Sequence, residues 1–319
     1  MRSPGSLNVA KLLWDVVSFI ENVAYVYNGC RKAMKTPIVY SEKCLGYGSW
    51  HIEGPQRIRK AQEILAMKGY QFLEPRPSSE EDLFDVHDAD YIWNVKKGLV
   101  DDPDTPAYDN IFEYAKLSAG AACLAAKVHG FSLMRPPGHH AGRNGAALNA
   151  PTRGFCYINN IAVAVKASDK TTLILDVDGH HGNGTQEIFQ GDPKVWYVSL
   201  HRHPHYPGTG MFTEGNCINF SLQADCGEQI YLETLDKAIS IVDLDKFEAL
   251  AVSAGFDTHM GDLASLGLTE DSYRQIGRKI GTLGKPTFFV LEGGYHGEKN
   301  GLDIDQLLMG FEEKNKPGS

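Results

Sequence analysis

The sequence predicts an α/β fold in which one parallel sheet is covered by helices. Apolar runs of strand length recur along the chain, and several of them end in Asp, Glu, Ser or His. Stretches with helical spacing of apolar residues separate these runs, which is the alternation that produces parallel strands joined by helices. No internal repeat or low-complexity linker interrupts the pattern. A length of 319 residues suits one large domain of this class, or two small ones.

The composition argues against several classes of function. The formal net charge is −9, whereas a nucleic-acid surface needs clustered Lys and Arg, so the charge weakly favours a neutral or cationic substrate instead. The six cysteines are scattered without a Cys-x-x-Cys pair, which is typical of reduced thiols. We therefore expect a cytoplasmic protein that contacts neither nucleic acid nor a membrane. No pattern in the sequence predicts its oligomeric state.

Residues 1 to about 33 differ from the rest of the chain. Apolar residues between Leu12 and Ala24 repeat at helical spacing, which predicts one amphipathic helix. Acidic residues interrupt the run, so we predict neither a signal peptide nor a membrane span. The segment is a docking helix, an oligomer contact or a remnant of cloning. We treat it as an appendage to a domain over residues 34–319.

Strands and helices alternate through that domain. The first predicted strand covers Thr36–Tyr40, and a helix with one apolar face follows over Pro55–Met67. An Ala-rich helix covers about Asp109–Lys127. The remaining predicted elements are the strands Phe131–Met134, Thr172–Leu175, Val195–Leu200, one from Ala249 and Thr287–Leu291, with a helix over Ile161–Lys166.

A polar stretch follows the strand that ends at Leu175, at the end of a parallel strand where α/β sheets place their ligands. In an extended chain alternate residues share a side, so Asp176, Asp178 and His180 would face one pocket. Carboxylate and imidazole are zinc-type ligands. A polar turn whose side chains cap backbone groups is an equally good interpretation of this stretch alone.

Tandem histidines, His139 and His140, follow the strand that ends at Met134. Prolines and a glycine fix the backbone before them, which suits a catalytic pair. A neutral imidazole can take a proton from water and return it to a leaving amine. Its orienting partners would be Asp176 for His139 and Asn183 for His140. The alternative is a pair of core or metal-ligand histidines.

Two later strands also end in polar residues. The strand from Ala249 leads to Asp257, which would complete an open three-ligand metal site with Asp178 and His180. The strand that ends at Leu291 leads to Glu-Gly-Gly-Tyr, whose glycines allow a sharp bend that presents the phenol of Tyr295. Phe155 and Tyr206 are candidate channel walls, although core packing is the usual fate of such aromatics.

Seven motifs, in this order, resemble those of the histone deacetylase and acetylpolyamine amidohydrolase family: RPPGHHA, GFCYINN, DVDGHHGNGTQ, SLH, PGTG, SAGFDTH and EGGY. The resemblance implies the arginase-deacetylase fold, a parallel sheet of about eight strands between helices, and a zinc-dependent hydrolase of N-acyl amines. It also implies a monovalent cation, potassium, at a second site. The residues that it implies are Asp178, His180 and Asp257 for zinc; Asp176, Ser199 and Leu200, with backbone of Asp178 and His180, for potassium; His139, His140, Tyr295, Asp176 and Asn183 for catalysis; and Phe155, Tyr206, Gly154, Gly294, Asp104 and Ala264 for substrate.

The sequence departs from the best-known members of that family at two positions. Asn183 stands where they have Asp, as in second-class deacetylases and the polyamine branch, and should leave His140 less basic. Ala264 stands where they have a bulky gate, which predicts a wider pocket that accepts acyl groups longer than acetyl. The span between Tyr91 and His139 is also too short for the insertion of the polyamine branch.

These features predict deacylation of acyl-lysine in a peptide or protein. The first alternative is an amidohydrolase of acetylpolyamines or other small acyl-amines. A catalytically inactive scaffold that binds acyl-lysine is an alternative from another class, as is a ureohydrolase with two manganese ions.

Overall fold

In a computed structural model, residues 35–313 are described, so the helix predicted within residues 1–33 lies outside them. The strands are β1 (Ile38–Val39), β2 (Phe72–Leu73), β3 (Phe131–Ser132), β4 (Ala141–Gly142), β5 (Gly145–Ala146), β6 (Thr172–Asp176), β7 (Val195–Arg202), β8 (Cys217–Leu222), β9 (Ala249–Ala254) and β10 (Thr287–Leu291). Eight of them form one sheet in the order β2-β1-β3-β10-β9-β6-β7-β8, and every neighbouring pair is parallel. The predicted α/β class with a parallel sheet of about eight strands is confirmed.

Helices flank this sheet in two groups. They are α1 (Gln56–Met67), α2 (Glu80–Phe84), α3 (Ala89–Lys96), α4 (Ile111–Val128), α5 (Asn160–Ser168), α6 (Asn183–Phe189), α7 (Gly227–Ser240), α8 (Glu270–Gly281) and α9 (Gly297–Glu313). α9 packs against α8 and α1, while α4 packs against α5 and the strands β1, β3 and β10. None of these helices is both long and apolar enough to cross a membrane, as judged over residues 35–313.

The central strands position the site. Every residue of β6, β9 and β10 is buried, because helices cover both faces of these apolar runs. Parallel pairing in register places Asp176, the last residue of β6, beside Ser253 of β9 and Ser199 of β7. The residues that follow these strands therefore emerge at one edge of the sheet.

Two predicted strands are shorter than expected. β1 covers only Ile38–Val39 of the predicted Thr36–Tyr40, and β3 ends at Ser132 rather than Met134. Pro37 lies before β1, and because proline has no N–H to donate to a neighbouring strand, the ladder cannot extend back through it. Beyond β3, the N–H of Leu133 still donates to the carbonyl of Val39 at 2.9 Å.

Candidate active site

Three side chains that the sequence assigned to a metal converge at the carboxyl edge of the sheet. Asp178, His180 and Asp257 are buried, and each offers a ligand atom within 4.8 Å of the other two. The Nδ1 atom of His180 lies 2.7 Å from Oδ2 of Asp257 and 3.3 Å from Oδ1 of Asp178. Asp178 and His180 follow β6, and Asp257 follows β9, so the parallel topology brings them together.

Backbone N–H groups orient both carboxylates. Gly179 donates to Oδ1 of Asp257 and Gly293 donates to Oδ2 of Asp178, each at 2.8 Å. A side chain at Gly293 would lie 2.4 Å from Oδ2 of Asp257, so glycine is required for this close approach. Such outer contacts fix the direction in which metal ligands point.

The donor set fits a zinc ion. Burial, together with the neighbouring Asp178, raises the pKa of Asp257 to about 6, so the two carboxylates destabilise each other when both are charged. A divalent cation among them would relieve that repulsion. One imidazole nitrogen and two carboxylate oxygens form a three-ligand set that leaves positions open for water and substrate, as catalytic zinc requires.

The paired histidines lie beside this cluster, and both predicted contacts are present. Nδ1 of His139 lies 3.1 Å from Oδ2 of Asp176, and Nδ1 of His140 lies 2.7 Å from Oδ1 of Asn183. The two rings are 4.1 Å apart, centroid to centroid. His139 also approaches the metal cluster, with Nε2 at 3.8 Å from Oδ1 of Asp178.

The two histidines differ in charge preference because their surroundings differ. Burial opposes the charged form of His139, but Asp178, Asp176 and Glu292 outweigh it and raise its pKa to about 10. Burial lowers the pKa of His140 well below its usual range, and the positive charges of His139 and His180 add to that effect. His140 is therefore the neutral member of the pair. A cation in the cluster would offset the negative charge that holds the proton on His139.

Tyr197 on β7 is a site residue that sequence reasoning missed. Its hydroxyl donates to Oδ2 of Asp176 at 2.9 Å and accepts the N–H of Gly182 at 3.0 Å. A tyrosine inside a fully buried strand needs a partner for its hydroxyl, and Tyr197 shares a strand face with Ser199. That signal was present in the sequence.

Tyr206 and Gly154 lie next to His140, and Phe155 lies next to Tyr295. The ring of Tyr206 meets His140 edge to face at 5.1 Å, and that of Phe155 meets Tyr295 at 5.7 Å. Gly154 has a φ of +49°, and a side chain there would lie 2.5 Å from Cδ2 of His140. His51 extends the aromatic surface, since its ring packs on Phe155 at 4.9 Å.

Asp104 lies in the loop over residues 101–106, which is rich in Asp and passes close to Tyr206. Its carboxylate accepts the hydroxyls of Thr105 at 2.8 Å and Thr152 at 2.5 Å. Thr152 also accepts the hydroxyl of Tyr206 at its backbone oxygen, at 3.0 Å. Asp104 therefore holds its loop beside Tyr206.

Tyr295 is held by its backbone, with its N–H donating to Oδ2 of Asp262 at 2.9 Å. Burial raises the pKa of its phenol well above the usual range, so the hydroxyl remains a proton donor. Gly294 has a structural role in this turn rather than facing the cluster. Its φ is +110°, and a side chain there would meet Asn300 and Phe256, whereas Gly293 lies against the acids.

The gate assigned to Ala264 is wrong. Its side chain has no exposed surface, while His180 and His140 keep 7% and 4%, so Ala264 cannot line an opening. It packs on the backbone of Gly179, where an added Cβ would lie 2.3 Å from that of Ala264. The preceding residue, Leu263, is 40% exposed.

The residues assigned to potassium also lie at this edge. Ser199 is buried, and its hydroxyl lies 2.8 Å from Nδ1 of His201. Asp176 is fully buried and accepts the N–H of Asp178 at 3.1 Å. Asp176 and Ser199 both offer oxygen atoms, and oxygen is the donor that hard cations prefer.

Residues 51–309, which make up most of the chain, match the histone deacetylase domain. The chain belongs to the histone deacetylase family. It is 35% identical over 320 residues to a probable deacetylase of Archaeoglobus fulgidus, an alignment that covers 88% of both proteins. Membership in the histone deacetylase family makes the chain a deacetylase-type hydrolase.

Two solved structures show the same fold. The crystal structure of the HDA15 HD domain superposes with a TM-score of 0.79 at 30% identity, over 88% of this chain and 89% of that one. An acetylpolyamine aminohydrolase from Burkholderia pseudomallei superposes equally well, with a TM-score of 0.79 at 25% identity over 86% of this chain and 98% of that one. Both branches of the family are therefore structurally similar to this protein.

Proposed function

We propose that this protein is a zinc-dependent hydrolase that removes acyl groups from the amine of acyl-lysine side chains. The observation that carries the proposal is the position of a neutral histidine next to a metal-type cluster. The rings of His140 and His180 are 6.0 Å apart, and His180 belongs to the group with Asp178 and Asp257. This arrangement suits hydrolysis of an amide, which needs an activated water and a proton for the leaving amine.

Asp178, His180 and Asp257 would hold the zinc, which would supply a Lewis acid to the scissile carbonyl and to the attacking water. His140 takes the proton of that water and later returns it to the leaving amine. The hydroxyl of Tyr295 donates to the oxyanion that forms on the carbonyl. His139, paired with Asp176, tunes the field beside His140, and Asn183 orients the His140 ring.

We also propose a potassium ion near Asp176, Ser199 and Leu200, and a cytoplasmic location. The support for potassium is the family resemblance and the oxygen atoms that Asp176 and Ser199 offer at this edge of the sheet. The support for the cytoplasm is that the cysteines among residues 35–313 are free thiols. Neither a nucleic acid nor a membrane is a proposed partner.

The substrate that we favour is acyl-lysine in a peptide or protein. The aromatic walls Phe155 and Tyr206 suit an aliphatic stem, and the sequence lacks the insertion of the polyamine branch before His139. Ala264 gives no reason to expect acyl groups longer than acetyl, because it has no exposed surface. Similarity to the Burkholderia acetylpolyamine aminohydrolase makes a small acyl-amine the second candidate.

The experiment that tests this proposal compares kcat/KM for acetyl-lysine peptide, longer acyl-lysine peptides and acetylputrescine. We expect the acetyl-lysine peptide to be preferred. A tenfold or greater preference for acetylputrescine, about 1.4 kcal/mol of transition-state discrimination, would place the protein in the other branch. Tight binding of acyl-lysine peptide without release of acetate would indicate an inactive scaffold. His140→Ala is the control, since it should abolish turnover and still bind zinc.

A further inference from the structure

The turn that carries Tyr295 is fixed through nearly all of its backbone groups. The N–H of Glu292 donates to the carbonyl of Ala254 at 3.0 Å. The N–H of Gly293 donates to the possible metal ligand Asp178, and that of Tyr295 donates to Asp262. Arg57 of α1 donates to the carbonyl oxygens of Glu292 and Gly294. The turn is therefore held from β9, from the metal cluster and from α1.

The side chain of Glu292 connects this turn to the loop over residues 138–140, called the histidine loop below. Its Oε2 accepts the N–H of Gly138 at 2.7 Å and that of His139 at 3.1 Å. Glu292 thus lies in the turn, three positions before Tyr295, and also accepts hydrogen bonds from the backbone that leads into His140. No other described side chain makes two hydrogen bonds to the backbone of Gly138 and His139.

The second carboxylate oxygen of Glu292 lowers the stability of the fold. Glu292 is fully buried, and Oε1 has no hydrogen-bond partner among residues 35–313. An unsatisfied buried acceptor destabilises a fold, because it has lost its hydrogen bonds to water. Burial also raises the pKa of the carboxyl to about 7. An apolar residue at this position would not have this disadvantage. Packing alone therefore does not explain why the chain has a glutamate here.

We propose that Glu292 is a positioning residue that sets the distance between the phenol of Tyr295 and the imidazole of His140. This inference rests on the proposed function, in which Tyr295 serves the oxyanion and His140 the proton. Because both groups must meet one tetrahedral centre, a shift of about 1 Å between their loops is enough to lower turnover about 10²-fold. Among residues 35–313, the side chain of Glu292 makes no hydrogen bond to Asp178, His180 or Asp257 or to Phe155 and Tyr206, so its effect should fall on kcat.

The experiment compares Glu292→Ala, Glu292→Gln and a matched control, Asp305→Asn. Asp305 is also a fully buried carboxylate, but it lies on α9, with Oδ2 at 3.4 Å from Nζ of Lys68. Each variant is measured for kcat and KM with acetyl-lysine peptide, for zinc content, for the free energy of unfolding and for amide hydrogen exchange at Gly138 and His139.

For Glu292→Ala we expect kcat to fall about 10²-fold with KM and zinc content unchanged, because only the loops shift. Exchange at Gly138 and His139 should accelerate. Glu292→Gln keeps an oxygen that accepts both N–H groups, so it should retain the slow exchange and most of kcat. Asp305→Asn should lower the free energy of unfolding and leave kcat unchanged.

Unchanged kcat or unchanged exchange in Glu292→Ala would overturn the inference. So would a fall in kcat that follows loss of zinc, or an equal fall in Asp305→Asn, since either would indicate a general structural effect. If the unaltered protein hydrolyses no acyl-amine, the proposed function fails, and the exchange measurement still decides whether Glu292 holds the histidine loop.

Discussion

The Nδ1 atom of His140 lies 2.7 Å from the amide oxygen of Asn183. The orientation of that amide is fixed, because its nitrogen donates to the carbonyl of Ala147 at 2.8 Å. Asn183 can therefore only accept from His140, and the proton of the neutral ring must be on Nδ1. This leaves the Nε2 lone pair as the base, which is the tautomer that proton abstraction requires.

Replacing Asn183 by Asp should shift the pH dependence of the reaction. A carboxylate next to the ring favours its charged form, so it should raise the pKa of His140, which burial now holds well below the usual range. A base that is protonated up to a higher pH is inactive up to a higher pH. We expect the acid limb of the kcat/KM profile of Asn183→Asp to move to higher pH. An acid limb that stays in place would mean that His140 is not the base.

Tyr295→Phe should lower kcat by about 10²–10³, the usual loss when one oxyanion donor is removed. Zinc content should not change, because the phenol is not among the three clustered ligands. Tyr108→Phe is a suitable control, since the hydroxyl of Tyr108 has no hydrogen-bond partner within residues 35–313. If Tyr295→Phe keeps the original kcat, as the control should, Tyr295 has no part in the mechanism.

Stability should depend on the ionisation of His87, which is outside the site. Its Nδ1 donates to the carbonyl of Gly142 at 2.8 Å, and its Nε2 accepts the N–H of Asn159 at 2.9 Å. Burial lowers its pKa from 6.5 to about 4. The folded state thus binds this proton more weakly than the unfolded state does. The contribution of His87 to the free energy of unfolding is complete above pH 6.5 and is lost as the pH falls towards 4. This loss amounts to at most about 3 kcal/mol.

The measurement is the free energy of unfolding in urea at pH 7.5 and at pH 5, for the original protein and for His87→Gln. Glutamine can donate and accept but does not titrate, so the variant should lose less stability than the original protein between these pH values. Equal losses would show that other groups cause the acid sensitivity.

The sequence predicted those site residues that come directly after an apolar strand. Asp178, His180 and Asp257 each follow an apolar run, and parallel strands must bring such positions to one edge. Glu292 and Arg57 were missed because their partners are distant in sequence: Glu292 contacts a loop 154 and 153 positions away. Spacing within one segment holds no information on such contacts.

Ala264 was assigned wrongly for a different reason. The loop after Asp257 is irregular, and Ser265 has a φ of +23°, so neither helical nor strand periodicity decides which side chain faces outward. An error of one residue exchanges the exposed Leu263 for the buried Ala264. Only the backbone path resolves that difference.

The most direct test of the central claim is a titration of zinc into the metal-stripped protein, with release of acetate from an acetyl-lysine peptide as the readout. We expect acetate release to rise with zinc and to level off at about one ion per chain, because one open three-ligand cluster is formed by Asp178, His180 and Asp257. No acetate at any zinc concentration, or a plateau at two ions per chain, would contradict a mononuclear zinc deacylase.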